Sequence, residues 1–156
     1  MTNFATDCSQ PNVVGLPTVE YISTVGIDTF KIFELSDGRL RGTISLKPYL
    51  KWLSMPLRPL DSDKQFWDEN GSLTAQGNLF SAKVQGILPM MSPQIQSQLD
   101  DMERQTFIVR IQDLAGRKFV LGSVKFPLHF TSSWNSAKGF HTVEWAGKQP
   151  HKAIGY

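Results

Sequence analysis

Apolar residues recur at every second position along FIVRIQDLAGRKFVLGSVKFPLHF, Phe107 to Phe130. Phe107, Val109 and Ile111 share one parity, Asp113-Leu114-Ala115-Gly116 turns the chain, and Phe119 and Leu121 come back on the same face. Val124, Phe126, Leu128 and Phe130 then alternate again. Strand side chains point to opposite faces with period two, so this pattern predicts a hairpin and a following strand with one face in the core. Asn78–Pro89 repeats the signal with Phe80, Ala82, Val84 and Leu88 on one side. TFKIFEL (Thr29–Leu35), the turn Ser36-Asp37-Gly38 and the extended start of RLRGTISLKPYLKWL predict a second hairpin, stopped at Pro48, which cannot donate to a ladder. After a loop, TSSWNSAKG, the segment FHTVEWAG predicts the last strand.

Helical spacing occurs once. In SPQIQSQLDDMER, residues 92–104, Ile95, Leu99 and Met102 fall on one stripe, Ser92 is placed to cap and Pro93 suits the first turn. Two stretches carry no period. Residues 1–27 are rich in Thr, Ser, Asn, Pro and Gly and read as an extended N-terminal arm, with one short strand near Val19–Ile22. Residues 54–72, SMPLRPLDSDKQFWDENGS, read as a long loop, a feature that in compact domains usually serves function or partners. The expected fold is mainly β: an antiparallel β-sandwich or barrel with one short helix, forming a single domain over 28–156 behind the 1–27 arm.

Composition narrows the classes. A chain of 156 residues, 40% apolar, with 10 Phe, 4 Trp and 3 Tyr, supports a full core without a disulfide or metal. Sixteen Lys and Arg against fourteen acids leave a net charge of +2, too even to point by itself to a polyanion. Cys8 is the single cysteine, which excludes an internal disulfide and a thiolate metal cluster. The start, MTNFATDCSQPNVVG, lacks the basic and apolar regions of a signal peptide, and no run reaches the length of a membrane helix. A soluble chain without membrane association is expected, one that stays in the cell that makes it unless it leaves within a particle.

Candidate chemistry is sparse. His129, His141 and His151 lack close pairing or a supporting Cys or Glu, so no metal is expected. No serine stands in a G-x-S-x-G elbow, and no Gly-rich phosphate loop occurs, so neither catalytic residues nor a nucleotide cofactor are expected. Asp61, Asp63, Asp68 and Glu69 fail an EF-hand register, because Phe66 falls where the loop needs glycine. Arg39, Arg41 and Lys47 share one strand parity, with Tyr49, Trp52 and Trp67 near in sequence, which suits a groove for single-stranded nucleic acid. Trp52, Trp67, Trp134 and Trp145 offer a second alternative, stacking on sugars in a carbohydrate-binding sandwich, with Trp67 and Trp134 in polar loops.

The succession TFIVRIQD, LAGRK, FVLGS, a PL-F segment, a loop, GFHTVEW and the terminal aromatic Tyr156 resembles small structural proteins of tailed bacteriophages and prophages. The resemblance covers roughly Asn78–Tyr156 and does not extend to residues 1–77. It implies a β-sandwich subunit of a neck or tail ring, without an active site or cofactor, made in the host cytoplasm and incorporated into the virion. Its partners would be copies of itself and other virion proteins, with nucleic acid as an open question. Under this reading Phe4, Val13, Val14, Leu16, Phe66 and Trp67, poorly placed in water on aperiodic segments, are the expected subunit contacts.

Overall fold

The computed structural model describes residues 18–37, 39–55, 57, 67–74, 77–88, 93–112, 116–136 and 139–156. Its strands are β1 (Thr18–Ser23), β2 (Ile27–Glu34), β3 (Leu40–Leu46), β4 (Leu53–Met55), β5 (Trp67–Thr74) and β6 (Gly77–Leu88). After helix α1 (Pro93–Met102) come β7 (Thr106–Gln112), β8 (Lys118–Leu121), β9 (Leu128–Asn135), β10 (Phe140–Gln149) and β11 (Ile154–Gly155). The fold is mainly β, as the alternation predicts, and the sheet is open. Its order runs β2-β3-β11-β8-β7-β9-β10-β6-β5, with β1 paired to β4 and β7. Every pairing is antiparallel except β11 with β3.

Strand β7, TFIVRIQ, organises the molecule because it buries apolar residues on both faces, Phe107, Val109 and Ile111 on one and Ile108 on the other. One edge pairs with β1, from Phe107 opposite Ser23 to Gln112 opposite Thr18. The other edge is shared: β8 takes Val109–Gln112, and β9 takes Thr106 and Phe107. The chain leaves that edge at Gly122, whose φ of +85° suits glycine. A Cβ there would stand 3.1 Å from Leu128 Cγ and 3.3 Å from the Phe107 carbonyl oxygen, so a side chain would also crowd its neighbours. The buried Gln149 side chain accepts the Gly122 N–H at 3.0 Å, and Ser123 and Phe126 close the excursion through mutual hydrogen bonds.

The split builds a core on each side of β7. Phe107, Val109 and Ile111 enter the larger one with Val19, Tyr21, Val84, Leu88, Leu121, Leu128, Phe130 and Trp145, closed by Leu99 and Met102 of α1. The rings of Tyr21, Phe107, Phe130 and Trp145 meet at centroid distances of 5.1–6.3 Å, and pairs in this range add about 0.5–1.5 kcal/mol each beyond their buried area. Burial lifts the Tyr21 hydroxyl above the usual tyrosine range. On the opposite face Ile108 packs with Ile22, Ile27, Ile44 and Val120, flanked by Phe30, Leu46, Trp52 and Tyr156. Arg110 shares that face and meets Glu20, its cross-strand neighbour, at 2.7 Å. Its guanidinium lies 4.5 Å from the Trp52 ring centre and 5.0 Å from that of Tyr156, tying the C-terminal residue to the sheet.

Several expectations need correction. The segment 54–72 is no continuous loop: Ser54 and Met55 belong to β4, and Trp67 to Ser72 lie in β5. Backbone pairing with the long strand β6 drives this, since ladder hydrogen bonds do not require the apolar alternation that DENGS lacks. Trp134, expected in a loop, lies in β9 opposite His141 because β10 supplies the ladder. The short strand expected near Val19–Ile22 is β1, which pairs with β4 and β7 from Thr18 to Ser23, and Thr24–Gly26 form a 3-10 turn into β2. Phe119 is only half-buried, whereas Val120, placed outside by simple alternation, is fully buried in the second core. Helix α1 spans the expected stretch, with Leu99 and Met102 buried and Ile95 partly so.

Candidate assembly interface

The sheet path ends in two strands, β2 and β5, and among the described residues neither has a second strand partner. Each therefore presents a row of unpaired backbone donors and acceptors, a ready template for another chain. β2 is poorly covered on both faces as well: Ile27 is buried, Phe30 is partly buried and the rest of the strand is exposed. Consecutive residues Ile32 and Phe33, which point to opposite faces, are 40% and 47% exposed. Asp28, Lys31 and Glu34 intersperse charge along the strand. The β2–β3 hairpin is closed at its tip by the Leu35 N–H donating to the Arg39 carbonyl at 2.8 Å. Thus a rigid ladder holds an apolar pair away from the cores. Leu40, Tyr49 and Leu50 are further exposed apolar residues on β3 and the chain that follows it.

Of the residues the sequence singles out as contacts, Trp67 contributes its backbone to the outer strand β5, opposite Val84 of β6. Phe4, Val13, Val14, Leu16 and Phe66 lie outside the described residues. Arg39 and Arg41 come together at the mouth of a cleft between β3, β8 and the C-terminus. Lys47 does not line it and stands six residues from Arg41, roughly 20 Å along an extended chain. Sequence reasoning missed Arg117, Lys118 and Lys152, which line the same cleft, because they come from two other segments. No protein family, curated protein or solved structure matches this chain. Among the described residues no group of three His, Cys, Asp or Glu is disposed to hold a metal ion, and no helix is long and apolar enough to cross a membrane. The three tryptophans whose side chains are described do not converge: Trp145 is buried, Trp52 is half-covered beneath Arg110, and the Trp134 ring meets that of His141 at a tilted 4.7 Å.

Proposed function

We propose that this chain is a non-enzymatic structural subunit of the tailed-phage type that assembles head to tail with copies of itself. The observation that carries the reading is the open sheet, whose two ends, β2 and β5, lie on different strands of one subunit. Pairing β2 of one copy with β5 of the next is a heterologous contact, and such contacts form a ring when the rotation between copies closes. Added main-chain hydrogen bonds would supply affinity, while Ile32 and Phe33 would supply specificity through pockets on either side of the new ladder. Full burial of such side chains contributes roughly 1.5–3 kcal/mol each, so the exposure remaining on the pair leaves about half of that for a neighbour. The charges on β2 limit indiscriminate edge pairing. Phe4, Val13, Val14, Leu16, Phe66 and Trp67 are the proposed further contacts, and the resemblance of the C-terminal half to neck and tail subunits supports the same reading.

The test is native mass spectrometry and light scattering of the full chain over a wide concentration range, beside its Phe33→Lys variant. The expected result is a closed oligomer that the variant loses while its thermal unfolding stays unchanged. A chain that remains monomeric at every concentration and is absent from isolated particles would refute the proposal.

A further inference from the structure

The cleft between the β2–β3 tip, β8 and the C-terminal residues has a volume of about 750 Å³. Among the described residues Arg39, Arg41, Arg117, Lys118 and Lys152 line it, and no acidic residue does. The whole protein carries a net charge of only +2, so this wall concentrates an excess that composition conceals. At the rim Asp37 meets Arg39 at 3.0 Å, with both side chains well exposed. Half-buried Phe119 and Tyr156 complete the lining, with the guanidinium of Arg117 5.9 Å from the Phe119 ring centre.

Backbone geometry holds these groups in place. Arg41 lies beside Gly155 in the parallel pairing of β3 with β11. The Tyr156 N–H donates to the Lys118 carbonyl at 3.0 Å, while Arg110 holds the Tyr156 ring from behind. Like charges gathered in a concavity focus the field and favour an anion with several charges over a single one. Arginine forks match phosphate oxygens, lysines add point charges, and aromatic faces accept bases without regard to sequence. From these features we infer that the cleft binds the phosphodiester backbone of single-stranded nucleic acid. A concavity of this volume suits one strand, whereas a duplex needs a broad surface. This inference stands apart from the assembly proposal, since none of the five cations belongs to β2 or β5.

The experiment is fluorescence anisotropy of the full chain with a labelled single-stranded oligothymidylate and with a duplex of the same length. With about four phosphates engaged, affinity should fall roughly 50-fold between about 50 and 200 mM salt. Arg41→Ala/Lys152→Ala should weaken binding about tenfold or more and reduce the salt slope by about 1.4. Lys125→Ala/Lys148→Ala, which removes the same charge outside the cleft, should leave affinity within about twofold. Circular dichroism and light scattering would establish that both variants keep their fold and oligomeric state. Equal weakening by the two variants would reduce the effect to net charge and overturn the site. Absence of binding at low salt, or tighter binding of the duplex, would overturn it too.

Discussion

Val109 sits at the centre of β7, between Tyr21 of β1 and Leu121 of β8, with no exposed surface. Its side chain points into the larger core, so two substitutions there measure different costs. Val109→Ala removes two methylene equivalents, at ~0.8 kcal/mol each for lost transfer energy, plus the cavity left by incomplete collapse, for a total of about 2–3 kcal/mol. For 156 residues, an unfolding entropy of about 2.1 cal/mol/K per residue makes each kcal/mol worth ~3 °C, so Tm should fall by roughly 6–9 °C. Val109→Asp places a carboxyl group where none of the surrounding core residues is charged. The unpaired group costs several kcal/mol more, on the order of the roughly 5–15 kcal/mol that holds a domain of this kind together. Burial raises the pKa of that new carboxyl, so any residual stability is greatest below the unfolded-state value of about 3.9 and is lost as pH rises through the folded-state value. The assay is calorimetry with near-ultraviolet circular dichroism at about pH 4 and pH 7, with Val25→Asp as the surface control because Val25 is 73% exposed. A soluble Val109→Asp protein that melts cooperatively at neutral pH within a few degrees of the parent would refute the assignment of this face.

Two further outcomes follow from local geometry. At Gly147 a Cβ would stand 2.8 Å from Leu128 Cδ2 and 2.9 Å from the Pro127 carbonyl oxygen, so Gly147→Ala should cost about 1–3 kcal/mol by denaturant titration; Gly42→Ala, whose nearest neighbour is Ile154 Cγ2 at 3.4 Å, should cost less. Burial holds the His141 imidazole below its ordinary pKa, and the carboxylate of Asp100 opposes this only in part. The unfolded chain therefore takes up that proton first, so the contribution is present above about pH 6.5 and is lost as pH falls through the folded-state value; His141→Gln should flatten the decline in Tm on acidification.

The legible parts of this fold are those where one face of an element is wet. Alternation marks β6 and β10, and helical spacing marks α1 through Ile95, Leu99 and Met102. The outer strand β5 and the distal part of β9 were missed because their sequences, DENGS and TSSWN, carry no period and their order comes from the neighbouring ladder. Burial of Val120 went unforeseen for a related reason: alternation predicts one buried face, whereas β7 and β8 are covered on both. For the cleft, sequence parity groups Arg39 and Arg41, which line it, with Lys47, which does not, since a shared face says nothing about distance along the strand. Lys118 and Lys152 are brought together by the short pairing of β8 with β11, which no local pattern announces.

The split edge of β7 also has a mechanical consequence. Tension applied between β2 and β5 travels through β3, β11, β8, β7, β9, β10 and β6 in series. The links differ greatly in length. β10 is zipped to β6 from His141 to Gln149, but β7 reaches β9 only through Thr106 opposite His129 and Phe107 opposite Leu128, and β3 reaches β11 only where Arg41 meets Gly155. The pairing of β11 with β8, through Ile154 and Gly155, is as short, so the sheet divides into stiff plates joined by short hinges at the Gly122 departure and on both sides of β11. Under strain the plates should swivel about those hinges before any long ladder begins to part.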